Sequence, residues 1–231
     1  NIAIPEASIL RLNGYDKTGL HPSMTGLQTM YNDTKLKVIQ AVGYPQPNFS
    51  HFRATDIWMT ASNSTQEVYT GWAGRYLNYE YPNFPNGYPN SSMTDPLAIQ
   101  IGSTASLTTQ GPGVNMAMSI TSATNFYQLI NGTSDPVPAT KAGKELSFIR
   151  TVAKQTQQYA SIITTAAGKV TTQNPYPTNN SLADQLKIVA RLIKGGLKTR
   201  VYMVSFGGFD NHSLQTTTTD NLGEYYFYVA P

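Results

Sequence analysis

The sequence predicts an open α/β sheet, and three observations carry that reading. Two short apolar runs, Leu97–Ile101 and Arg200–Phe206, read as buried strands, the second closed by Gly207-Gly208. Between them, 142–167 and 182–194 repeat apolar residues at three- and four-residue steps, the period of helices with one buried face. A third apolar run, Leu36–Val42, precedes another stretch of helical period. Strand, helix, strand, helix, helix, strand is the order from which open α/β sheets are built.

The elements follow in chain order. Residues 20–33 set Met24, Leu27, Met30 and Tyr31 at helical spacing, with Pro22 near the start and Asn32-Asp33 near the end. Leu36-Lys-Val-Ile-Gln-Ala-Val42 then reads as a buried or half-buried strand ending at Gly43. After the turn-rich 43–48, Ser50 to Ala61 is helical, with Trp58 expected in the core and Asp56 exposed or hydrogen-bonded. Gly71 to Tyr79 reads as a short helix, and the Pro, Asn and Gly of 81–92 as a loop. No regular element is assigned across 111–138. From Ala139 to Ala167, Leu146, Ile149, Val152, Thr156, Tyr159, Ile162, Ile163 and Ala166 form one apolar stripe. The next helix runs from Leu182 to Ile193 and turns Leu182, Leu186, Val189 and either Leu192 or Ile193 inward. Ser181 would cap it, and Gly195-Gly196 would stop it.

Composition narrows the function. The 231 residues suffice for one large domain or two small ones. With no cysteine there is no disulfide scaffold, thiolate metal site or cysteine nucleophile. A formal charge of +3 with no Lys/Arg cluster argues against a nucleic-acid partner. No apolar run reaches the roughly 18 residues of a membrane span. Charged residues make up 13% of the chain, against about 25% in average domains, which suits an exported protein. No charged-then-apolar leader is visible, so an export signal is expected to lie upstream or to have been removed.

Two segments could carry chemistry. Ser50-His51-Phe52-Arg53 stands at an expected helix N-terminus, where free backbone N–H groups and the helix dipole would stabilise an attacking oxygen or an oxyanion. Its plainer role is an N-cap with two surface neighbours. Gly207-Gly-Phe-Asp-Asn-His212 follows a strand, where open α/β sheets gather their ligand loops, and Asp210 and His212 could both face one divalent metal. A polar turn is the alternative there. His21, beside a proline, is read as structural. The glycosylation sequons at Asn48, Asn63 and Asn131 are expected by chance in a chain this rich in Asn, Ser and Thr.

Several segments together resemble a family. They include Leu20-His-Pro-Ser-Met-Thr-Gly-Leu27, Val38-Ile-Gln-Ala-Val-Gly-Tyr-Pro45, Asn48-Phe-Ser-His-Phe-Arg53, Asp56-Ile-Trp58 and Thr70-Gly-Trp-Ala-Gly-Arg-Tyr-Leu77. Ile2 to Pro5, Asp95 to Ile101, Gln185 to Ile193 and Arg200 to His212 complete the set. In order over about 1–215, they resemble the sulfatase-like bacterial proteins of unknown function, of the twin-arginine-exported type, in the alkaline phosphatase superfamily. The resemblance implies a three-layer α/β/α fold and a site for one or two divalent metals. It puts Ser50 in the nucleophile region with His51 beside it, Arg53 against an anionic ester, and Asp210 and His212 among the metal ligands. The family's opening strand with its Gly-Gly-x-Asp-Gly turn, and its late Asp-His-Gly motif, have no counterpart here. The expectation is therefore a partial sulfatase-like domain over 1–215, lacking its first strand and C-terminal part. Residues 216–231 are an unassigned tail; an incomplete portion of a longer protein is the preferred reading, over a tail from a non-contiguous segment or a degenerate site. A divalent metal is expected in the complete protein, and no complete metal site within these 231 residues.

Two functions compete. One is an exported bacterial hydrolase of phosphate or sulfate esters, periplasmic, cell-surface or secreted, acting on a small anionic ester. The other is a non-catalytic extracellular module on the same fold, binding a glycan or protein partner through Tyr-rich, low-charge loops such as 76–90.

Overall fold

A computed structural model describes residues 4–123 and 138–207. They divide into two units, 4–43 with Gly207, and Tyr44–Phe206.

The first unit is built on a hairpin that the periodicity did not announce. Strands β1 (Leu10–Leu12) and β2 (Tyr15–Leu20) pair antiparallel, Leu10 opposite Leu20. Their turn uses Asn13-Gly14, with Gly14 at φ 85°, a conformation that glycine adopts without strain. Helix α1 (Thr25–Asn32) lies against β1, tied by Gln28 Nε2 donating to the Arg11 carbonyl at 2.7 Å. It starts at Thr25 rather than beside Pro22, because 21–24 forms a turn in which the Met24 N–H donates to the His21 carbonyl. The expected strand Leu36–Val42 is absent: these residues form no ladder, and Ile39 and Val42 are 80% and 62% exposed. Ala41, at φ 56°, breaks any extended run. Ser50 therefore follows a loop, not a strand.

The second unit is mixed α/β with a parallel three-stranded sheet. Its strands are β3 (Ala98–Ile101), β4 (Ala117–Ile120) and β5 (Val201–Met203), in the order β4-β3-β5. Ala98 pairs with Ala117 on one side and Val201 on the other. Strand β4 was not anticipated; its Met-Ala-Met-Ser-Ile pattern sits in the Gly- and Pro-rich stretch that masked it. All four residues of β3 are buried, as a central parallel strand requires.

Alternation along β3 divides the core. Ile99 and Ile101 face helices α4 (Lys141–Gly168) and α5 (Ser181–Lys194), packing with Ile120, Tyr159, Ile163 and Leu192. Ala98 faces the other way, toward Leu77 of α3 (Trp72–Glu80), Met93 and Met116. The apolar stripe of α4 is shorter than its spacing implied. Tyr159, Ile163 and Ala166 are buried, whereas Leu146 and Ile149 are exposed, and Val152 lies outside the described side chains. On α5, Leu192 is the buried choice, while Leu186 and Ile193 face solvent. Its N-cap is Asn180, whose Oδ1 accepts from the Ala183 N–H at 2.9 Å, not Ser181. Gly195 and Gly196 do end the helix, with Gly196 at φ 92°.

Helix α2 (His51–Thr60) buries only Ile57 and Thr60. Trp58 is 67% exposed and is not a core residue.

Candidate functional site

Ser50 is the N-cap of α2, its Oγ accepting from the Arg53 N–H at 3.5 Å. The hydroxyl thus stands among the free N–H groups of the first turn and is exposed to solvent. His51 is exposed on the same turn, and its carbonyl accepts from the Thr55 hydroxyl at 2.8 Å. Arg53 is half-buried, and its Nη2 donates to the carbonyls of Ser64 and Gln66, holding the 61–66 loop against the helix. That part of the guanidinium has a structural task before it meets any anion.

The carboxyl end of the parallel sheet is the other predicted locus. Beyond β5, Gln185 grips the chain: its Nε2 donates to the Ser205 carbonyl at 2.7 Å, and its Oε1 accepts from the Ser205 N–H at 2.9 Å. Two residues later the description stops, so Asp210 and His212 lie outside the described residues, as does the 216–231 tail. His21 accepts from the Ser23 N–H through Nδ1 at 3.2 Å, a local turn bond. Among the described residues, no three His, Cys, Asp or Glu side chains gather in a way that would hold a metal ion.

Two features at the amino end of the sheet escaped the sequence reading. Asp95 is 6% exposed, with Oδ2 accepting from the Lys198 N–H and Oδ1 from the Thr94 hydroxyl, both at 2.6 Å. A buried carboxylate is tolerated when it is hydrogen-bonded, and here it ties the entry of β3 to that of β5. Nearby, a cavity of about 230 Å³ is lined by Leu97, Ala98, Met116, Met118, Ser119 and Tyr159, among others. The hydroxyls of Ser119 and Tyr159 are both shielded from water and make no hydrogen bond. Such a group costs about 1–3 kcal/mol. Burial, reinforced by the charge of Asp95 and by Tyr88, pushes the Tyr159 phenol up to about 12, so it remains a neutral donor at ordinary pH. The legible signal was a tyrosine on a core stripe, since its polar tip needs a partner when buried.

No family model, curated protein or solved structure matches the chain. The fold and the side chains define a mixed α/β protein with a parallel sheet and helices. Among the described residues, no helix is long and apolar enough to cross a membrane.

Proposed function

We propose that the chain is part of an exported, sulfatase-like hydrolase of small phosphate or sulfate esters, with the three-layer α/β/α fold of the alkaline phosphatase superfamily. The observation that carries this reading is the parallel sheet, which sends the segment leading to Asp210 and His212 off the carboxyl end of β5. Its support beyond geometry is the run of sequence segments that resembles that family. Ser50 is the nucleophile in this reading: its Oγ attacks phosphorus or sulfur, and the N–H groups of α2 stabilise the negative charge that develops. Arg53 positions the 61–66 loop and offers its remaining N–H groups to the anion. Asp210 and His212 would hold a divalent cation, which would polarise the ester oxygen when bound.

The test is hydrolysis of p-nitrophenyl phosphate and p-nitrophenyl sulfate by the complete protein that contains this chain, with Zn²⁺, Mn²⁺, Ca²⁺ or Mg²⁺ added in turn. Metal-dependent turnover that Ser50→Ala and Asp210→Asn each abolish supports the reading. Turnover unchanged by Ser50→Ala, or none with any metal, removes it.

The binding-module reading has its own observation. Trp72, Tyr76 and Tyr79 recur at steps of four and three on α3 and are all exposed, so one face of that helix is an aromatic strip. Arg200 Nη2 lies 3.5 Å from the Tyr76 hydroxyl, adding a donor beside the rings. Rings and guanidinium together suit a glycan. Co-sedimentation with insoluble peptidoglycan, lost on Trp72→Ala, would favour this function over catalysis.

A further inference from the structure

We propose that the outer face of α5 docks on the surface of a bilayer that contains anionic phospholipid. The inference goes beyond ester hydrolysis and uses no residue of the aromatic strip on α3.

Charge distribution is the first observation. The net charge of +3 hides an uneven chain: ten of its 16 Lys and Arg residues lie between Lys141 and Arg200, where the acidic residues are Glu145 and Asp184. The structure gathers part of this excess on one helix. Lys187, Arg191 and Lys194 follow at steps of four and three, so they share one side of α5 over about 10 Å. Ile188, Val189 and Leu192 pack on the core from the opposite side. Lys187 and Lys194 are exposed, and Arg191 is half-buried, its Nε donating to the Ala167 carbonyl at 2.8 Å. Exposed Lys169 and Lys198 stand near the carboxyl end of the helix, since α4 ends against Gly195 and Lys198 follows three residues later. Among the described residues, none of these lysines is paired with a carboxylate. Asp184, the acidic residue of α5, stands in its first turn.

Part of this arrangement is ordinary helix chemistry. Arg191 and Lys194 sit in the last turn, where cations favour the helix dipole. Lys187 is two turns further in and gains little from it, and like charges three and four residues apart repel. An anionic partner removes that repulsion.

Apolar neighbours select which anion. Leu186 and Ile193, seven residues apart and each next to a lysine of the row, are 43% and 55% exposed, with half-buried Ala190 between them. Together they form an aliphatic edge alongside the cations. Nucleic acid would engage the row through its phosphates and leave that edge without a role. A second copy meeting this one through the same face would set one cation row against the other. A bilayer interface takes both parts: anionic headgroups meet the lysines, and the boundary with the acyl chains takes the aliphatic edge.

The test floats the complete protein that contains this chain on vesicles of phosphatidylcholine, and on vesicles of phosphatidylcholine with an equal part of phosphatidylglycerol. Binding is expected on the anionic vesicles alone, and raising the salt from about 0.1 M to about 0.5 M should release most of it. Lys187→Ala together with Lys194→Ala should weaken it about 25-fold, about fivefold for each cation lost. Leu186→Ala together with Ile193→Ala should weaken it severalfold with the salt dependence unchanged. Lys17→Ala, at an exposed lysine of the first unit, should leave it as it was. Thermal melts confirm that each variant folds. Equal retention on the two kinds of vesicle, no retention on either, or binding that survives the paired lysine substitution would each overturn the proposal. Binding untouched by the paired aliphatic substitution would overturn it too, and displacement by double-stranded DNA would then assign the row to nucleic acid.

Discussion

Leu97-Ala-Ile-Gln-Ile101 and Leu36-Lys-Val-Ile-Gln-Ala-Val42 carry nearly the same apolar pattern, and both contain Ile-Gln. The first supplies β3, buried along its whole length between β4 and β5. The second forms no strand, and most of its side chains face solvent. Most of the difference lies outside the two segments. Ile99 has Ile163 and Leu192 to pack against and a ladder on each side. Val38 and Ile39 have neither among the described residues, and Ala41 turns the backbone away. A β-branched run states a preference for a pleated surface; neighbours decide whether one forms.

The sharpest way to break this comparison is to truncate its two isoleucines. Ile99→Ala should cost about 3 kcal/mol in urea melts, the usual price of a cavity in a packed core, and Ile39→Ala less than about 0.5 kcal/mol. Equal costs would mean that the 36–42 segment is buried against something.

Alkaline unfolding tests the buried side of the comparison next. The native Tyr159 phenol, at about 12, lies above an unfolded tyrosine near 10. The native state therefore keeps its proton longer, and stability falls as pH rises from about 10 to about 12 and levels off beyond. The loss should be about 2 kcal/mol, and Tyr159→Phe should lack it when both proteins are followed by denaturant melts across that range. At pH 7 the same variant should be equal to the parent or slightly more stable, because an unpaired buried hydroxyl has been removed.

Asp95→Ala should cost about 2 kcal/mol, since it leaves the Lys198 N–H and the Thr94 hydroxyl without their acceptor. A loss under about 0.5 kcal/mol would show that the carboxylate does not staple the entries of β3 and β5. A smaller effect is expected at half-buried Arg53: Arg53→Ala should cost about 1 kcal/mol and speed amide exchange in the 61–66 loop, leaving β3 as protected as before.

Legibility in the sequence followed the same division. Helices α2 to α5 and strands β3 and β5 could be read because capping residues, glycine stops and periodic stripes are local signals. Ser50 as an N-cap is one of them. Strand β4 could not, because Gly111-Pro-Gly113 drowns the four residues that pair with β3. Trp58 was misread because α2 needs only Ile57 and Thr60 to seat it, and hydrophobicity alone does not say which face a single turn presents. Of the candidate site, the sequence held the residue types at Ser50, Asp210 and His212. It could not hold the cavity, whose lining brings together residues before β3, along β4 and on α4 that are far apart in the chain.

The clasp of Gln185 on Ser205 bears on how firmly the end of β5 is held. One side-chain amide does for Ser205 what a neighbouring strand would do, accepting and donating in the same plane. It spans 20 residues, so closing it costs chain entropy that only a formed α5 can repay by holding Gln185 in place. The end of β5 is thus fixed only as firmly as the first turns of α5, and fraying of those turns would release Ser205 while Leu192, near the far end of the helix, stays packed.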